Sequence, residues 1–267
     1  MITSQEARIL ATASYASYDT DPTVGGYTTV KTFNDPNTGF QAAVFQKPDT
    51  GEYIVAFTGT QPQTGQDPVA DVALGCTQWN QDNRSEVFNY LQGLDATNIS
   101  FTGHSLGGAL AQYAAYDYLD RTSSPAQVSL ATFNGIGGMA GLQQMHPNDF
   151  NSNIASEIDA AHFFASSSGQ QDLVARLGEG HLGGNTYQII MDQANAGLGA
   201  IHTAWDDFKK LVVPQNTSEP GYLNIPGAQK LADLFTFIGD DGKITNTEGW
   251  FRVAGGVILA LITTANK

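Results

Sequence analysis

Apolar and polar positions follow two rhythms along this chain. Residues 4–18 have helical spacing, with Ala7, Leu10, Ala11 and Ser14 on one side. Residues 27–33 and Phe40–Gln46 read as strands joined by the turn-rich Asn34-Asp35-Pro36-Asn37-Thr38-Gly39. A third strand over 53–58 follows the turn Pro48-Asp49-Thr50-Gly51. A long polar stretch runs from Gln61 to about Asn80, and helical periodicity returns over 84–94 through Val87, Tyr90, Leu91 and Leu94. The apolar strand Asn98-Ile99-Ser100-Phe101-Thr102 precedes a helix expected to reach about Tyr118. Further strands are expected at Gln127–Phe133, 160–165 and 186–191, and a single helix over 198–212. Strands alternating with helices predict an α/β sandwich of three layers, with helices covering both faces of one mostly parallel sheet. One domain over residues 1–267 is expected, with 214–267 an extension packed on it beyond the Pro-, Asn- and Gly-rich stretch 214–226.

Composition narrows the function. With 41% hydrophobic and 14% charged residues among 267, the chain can bury a sizeable core. A net charge of -14 and a pI near 4.4 disfavour nucleic acid, which is bound by neutralising phosphates with Lys and Arg. The same charge opposes standing adsorption to anionic membranes. Cys76 is the only cysteine, so no intrachain disulfide and no cysteine-built zinc site is expected; it reads as a small buried or half-buried residue. The first residues lack a basic region followed by an apolar core, so no Sec-type signal is expected there. No apolar run has the length of a membrane span, and Val257-Ile258-Leu259-Ala260-Leu261-Ile262 reads as the core face of a final helix. High acidity suits an exported enzyme; secretion is the expectation, with a cytoplasmic location left open.

The chemistry starts at Gly103-His104-Ser105-Leu106-Gly107. A short apolar strand before it and small residues after it (Gly108, Ala109, Ala111, Ala114, Ala115) give the strand–turn–helix context that lifts a serine hydroxyl to the top of a sheet. Ser105 is therefore the expected nucleophile. A serine needs a base, and the base needs an orienting acid. Of the five histidines, His104 lies inside the turn and is expected to pack, and His162 stands in an apolar strand as a core residue. The order Ser, acid, His favours His181 or His202 as base. His202 at a helix entrance is better preorganised than His181 on the glycine loop Gly178-Glu179-Gly180-His181-Leu182-Gly183-Gly184. Asp172, in the loop after the strand Ala161-His162-Phe163-Phe164-Ala165, is the expected acid, with Asp192 the alternative. Asp159 lies at the wrong end of that strand, and Asp149 reads as a cap in a His-Pro-Asn-Asp turn. An oxyanion hole is expected from the Leu106 N–H and from Thr60, which follows the third strand in Gly59-Thr60.

These pieces resemble the class 3, or fungal-type, lipases of the α/β-hydrolase fold. The resemblance covers about residues 27–210. It rests on Ile54-Val55-Ala56-Phe57-Thr58-Gly59-Thr60, on Phe101-Thr102-Gly103-His104-Ser105-Leu106-Gly107-Gly108-Ala109-Leu110-Ala111, and on Gln171-Asp172-Leu173-Val174-Ala175-Arg176-Leu177. It implies Ser105, Asp172 and His202 as catalytic residues and Thr60 in the oxyanion hole, and gives His181 a noncatalytic place. It implies a serine carboxylic-ester hydrolase for lipid esters, resembling a triacylglycerol lipase, with no cofactor and at most a transient contact with a lipid interface. Phospholipase A1, a secreted bacterial effector, a feruloyl-type esterase and a hydrolase fold without turnover are the alternatives. The chain departs from the pattern at Thr58, where the family usually has Arg, and at Gln61-Pro62-Gln63-Thr64-Gly65-Gln66-Asp67. In the place of a lid, residues 61–80 offer only Val69, Val72, Leu74 and Trp79 as apolar positions. At residues 237–248, Gly242, Ile244 and Glu248 fall at the sixth, eighth and twelfth places of an EF-hand loop. Phe237 and Gly239 stand where side-chain ligands are needed, so a β-turn is expected.

Overall fold

Runs of buried residues in the strands place the sheet between two helical layers. The structure, a computed structural model, describes residues 2–59, 75–122, 126–167, 170–172, 174–178, 180–191, 196 and 198–211. Thr60, Asp192, most of the polar stretch expected as a lid, and the extension 214–267 with its 237–248 loop lie outside these residues. The strands are β1 (Thr28–Asp35), β2 (Phe40–Gln46), β3 (Glu52–Phe57), β4 (Asn98–His104), β5 (Gln127–Phe133), β6 (Asp159–Ser167), β7 (Gln170–Gln171) and β8 (Asn185–Ile190). They form one sheet in the order β1-β2-β3-β4-β5-β6, with β7 and β8 both paired to β6. The pairs β1–β2, β2–β3 and β6–β7 are antiparallel. The rest run parallel, so the carboxyl ends of β3, β4, β5, β6 and β8 open on one edge.

Alternate residues of each central strand feed two separate cores, as strand geometry requires. Val44, Val55, Phe57 and Phe101 face one side, with Leu110, Tyr113 and Val87 from the helices α2 (Gln81–Gln92) and α3 (Leu106–Arg121). Phe45, Ile54, Ala56 and Phe133 face the other, against Ala7, Leu10 and Ala11 of α1 (Ser4–Ala16). Phe45, Phe57 and Phe101 are fully buried, and each such side chain contributes about 1.5–3 kcal/mol. Local signals set the helix starts. Thr3 and Glu6 close a capping box on α1, and the Asn80 side chain accepts the N–H groups of Asp82 and Asn83. That cap explains why α2 begins three residues before its apolar periodicity does.

Two sequence expectations change. The helix expected over 198–212 is two pieces, α6 (Leu198–Thr203) and α7 (Trp205–Phe208), which follow the short helices α4 (Met139–Met145) and α5 (Ser152–Glu157). Ala204 between α6 and α7 adopts a left-handed conformation, φ 34°. The cause is long-range: side chains from elsewhere take the carbonyls that would continue the helix. Asn134 Nδ2 donates to Ile201 O and His202 O, and the Tyr15 hydroxyl donates to Thr203 O at 2.7 Å. Trp79, expected on a lid face, is instead 2% exposed among Phe40, Phe57 and Phe88, with its indole N–H donating to Asp117.

Candidate active site

The turn between β4 and α3 gives Ser105 φ 57° and ψ −128°, a conformation that costs a residue with a Cβ about 1–3 kcal/mol. Its surroundings fix it there. The Ser105 N–H donates to Phe133 O, and its carbonyl accepts the N–H groups of Gly108 and Ile136, both at 3.0 Å. The turn is also crowded, since a Cβ on Gly107 would strike the Phe57 carbonyl and one on Gly103 the Gly107 carbonyl. These glycines let α3 lie directly against β3, with its amino end below the serine.

His202 closes on this serine from α6. Its Nε2 lies 3.0 Å from Ser105 Oγ, and its Nδ1 lies 2.8 Å from Asp172 Oδ2. A carboxylate only accepts, so Nδ1 carries the proton and Nε2 accepts from the serine hydroxyl. Asp172 is 1% exposed, and its other oxygen accepts the Ala175 N–H at 2.8 Å. Both carboxylate oxygens are thereby used, and the ring is held in the tautomer that can take a proton from Ser105. The Leu106 N–H is the first of α3, with no helical carbonyl four residues back to accept it, and the positive end of the helix dipole lies there. That N–H directly follows Ser105, where a developing oxyanion would be held.

Other sequence candidates lie elsewhere. His181 stacks on His162 at 4.3 Å between ring centroids, and burial pushes it down to about 4. His162 is buried, bonded to the Thr132 hydroxyl and Gly183 O, and burial holds it well below the ordinary range. Asp159 opens β6 at the opposite sheet edge. Asp149 is exposed, 3.6 Å from His146. Thr60 lies outside the described residues, so its oxyanion role rests on the motif alone; Asp192 lies outside them too. Among the described residues no group of three or more His, Cys, Asp or Glu side chains is placed to hold a metal ion, and no helix is long and apolar enough to cross a membrane.

The supports beneath this arrangement go beyond the packing role expected of His104. His104 packs 4.8 Å from the His202 ring and donates from Nε2 to the His202 carbonyl at 2.8 Å. Its Nδ1 accepts the Tyr18 hydroxyl at 3.1 Å, and Tyr18 in turn accepts the Gly59 N–H at 2.9 Å. The chain of bonds thus runs from the end of β3 to the backbone of the candidate base. Burial, with His202 beside it, pushes His104 down to about 3, so it stays neutral. Asn134, at the end of β5, holds the same carbonyl from another side. The Asn134-Gly135 pair reads in sequence only as a turn, and nothing local marks Tyr18.

A mostly parallel sheet flanked by helices on both faces, with a strained serine at the carboxyl end of a central strand, defines an α/β-hydrolase fold. A profile of the Tle-like phospholipase domain matches residues 13–160, more than half of the chain, and the chain belongs to that phospholipase-like family. The matched segment contains Ser105 and ends before Asp172 and His202. No curated protein matches the chain significantly. Among solved structures, a lipase from Rhizopus microsporus var. chinensis shares 18% identity over 72% of this chain and 76% of its own, with a TM-score of 0.50. A fungal lipase structure shares 16% identity over 86% of this chain and 92% of its own, with a TM-score of 0.52. At such identity the likeness shows the fold, which agrees with the class 3 lipase resemblance of the sequence. The chain is a lipase-like hydrolase.

Proposed function

We propose that the chain is a serine carboxylic-ester hydrolase acting on lipid esters, with Ser105 as nucleophile, His202 as base and Asp172 as orienting acid. The observation that carries this reading is the unbroken pair of bonds, Ser105 Oγ to His202 Nε2 at 3.0 Å and His202 Nδ1 to Asp172 Oδ2 at 2.8 Å. His202 takes the serine proton as Oγ attacks the ester carbonyl. Asp172 stabilises the imidazolium that forms. The Leu106 N–H, with Thr60 as second donor, holds the oxyanion, and loss of one such donor typically costs about 2.7–4 kcal/mol. Collapse expels the alcohol, which takes its proton from His202. Water, activated by the same imidazole, then hydrolyses the acyl-enzyme.

Two ester classes fit this machinery. The sequence resemblance points to triacylglycerols, whereas membership of a phospholipase-like family favours the acyl esters of a glycerophospholipid. A panel of p-nitrophenyl esters, triacylglycerols and phosphatidylcholine, assayed with the wild type and Ser105→Ala, tests both levels. Ser105→Ala is expected to lose turnover on every ester while keeping its circular dichroism spectrum. Turnover retained in that variant would refute the nucleophile, and release of fatty acid from triacylglycerol but not phosphatidylcholine would refute the phospholipid preference.

A further inference from the structure

We infer that Asn134 is a positioning residue that fixes the distance between the proposed acid and base; this rests on the ester-hydrolase reading above. Asn134 is fully buried just past β5 with φ 44°, a left-handed conformation that Asn tolerates better than most residues. Its N–H donates to Phe163 O at 2.8 Å, carrying the β5–β6 pairing one step beyond the Phe133–Phe163 pair. Its side-chain oxygen accepts the Ala165 N–H at 2.7 Å. Its side-chain nitrogen donates to Ile201 O and His202 O, both at 2.7 Å. Both hydrogens and the oxygen of the amide are thus used, a set that a carboxylate or a hydroxyl cannot supply.

These bonds close a ring. The carbonyl of Ala165, whose N–H Asn134 holds, accepts the Asp172 N–H at 3.0 Å. Asp172 bonds His202 through the carboxylate, and the His202 carbonyl returns to Asn134. Acid and base arrive from segments 30 residues apart in sequence, and one buried amide ties both to the end of β5. His104 also holds the His202 carbonyl, but it reaches neither Ala165 nor Ile201 in this ring. The amide thus ties the Asp172 and His202 segments together independently of the bond that the reaction uses.

The test compares Asn134→Gly, which keeps the left-handed backbone accessible, with Asn134→Asp, which keeps an acceptor for Ala165 and loses both donors. Val87→Ala, a core truncation in α2, controls for stability. Turnover of a soluble p-nitrophenyl ester and the rate of fluorophosphonate labelling are read in full-length protein well below the unfolding midpoint. Both Asn134 variants are expected to lose kcat by about ten- to hundred-fold, with KM within twofold and labelling slowed in step. Val87→Ala is expected to melt earlier with kcat unchanged. Wild-type kcat in folded Asn134→Gly, or a loss confined to KM, overturns the inference. If Asn134→Gly does not fold, Asn134→Asp decides alone, and wild-type kcat there overturns it equally. Turnover surviving in Ser105→Ala would instead refute the ester-hydrolase reading itself.

Discussion

Two buried aspartate–histidine pairs stand among the described residues, and their surroundings differ sharply. Asp172 and His202 meet at 2.8 Å at the carboxyl edge of the sheet, and Asp117 and His146 meet at 3.0 Å on the outer layer. Asp117 is fully buried on α3, where Oδ1 accepts Arg84 at 2.7 Å as well as His146, and Oδ2 accepts the Trp79 indole at 2.8 Å. That carboxylate ties α2, α3 and the chain after α4 together, and its histidine directs Nε2 at the acid. In the other pair the acid takes Nδ1, and Nε2 is left for a serine hydroxyl. Orientation and a third partner thus separate the pair proposed to be catalytic from one that, with a guanidinium and an indole as neighbours, is a structural staple.

Exchanging the acids should separate the two roles most sharply. Asp172→Asn is expected to lower kcat by about 10,000-fold through the wrong tautomer of His202, with the fold retained; steady-state kinetics and circular dichroism check this. Asp117→Ala should do the reverse. It leaves the Arg84 guanidinium without its buried carboxylate, so denaturant unfolding should show a loss of about 3–5 kcal/mol while kcat of the folded protein stays near wild type. A large fall in kcat in Asp117→Ala would erase the distinction.

A smaller effect concerns histidines that have no carboxylate. His104 is pushed from its ordinary 6.5 down to about 3 by burial, so the unfolded chain binds a proton that the folded chain refuses. Its contribution is fully present above pH 6.5 and is lost as pH falls toward 3, about 2 kcal/mol by pH 5. His162, displaced in the same direction, adds to this acid sensitivity. Urea unfolding at pH 7 and pH 5 measures it, and equal stability at the two values would contradict it. The smallest effect belongs to the exposed Lys31–Glu86 pair, 3.2 Å apart. Lys31→Gln is expected to change stability by no more than about 1 kcal/mol.

Much of this was legible in sequence because the signals were local. The places of strands β1 to β6 along the chain follow from alternation and turns, and the serine turn follows from small residues around Ser105. Rigidity favours His202 over His181, and the geometry places His202 beside Ser105 while His181 stacks on His162. What was not legible was carried by contacts far apart in the chain. The break after Thr203 depends on Tyr15 and Asn134, 188 and 67 residues or more away. Trp79 read as part of a lid because its partner Asp117 lies 38 residues on. Periodicity reports which face of an element is apolar; it does not report which remote side chain takes a helix carbonyl.

The most direct test of the central claim is to map the adduct of a fluorophosphonate probe by peptide mass spectrometry in the wild type and in His202→Ala. The account expects one adduct, on Ser105, formed together with loss of ester turnover, and labelling slowed by orders of magnitude in His202→Ala. Complete loss of turnover with the adduct on another residue, or labelling of Ser105 that is indifferent to His202, would contradict it.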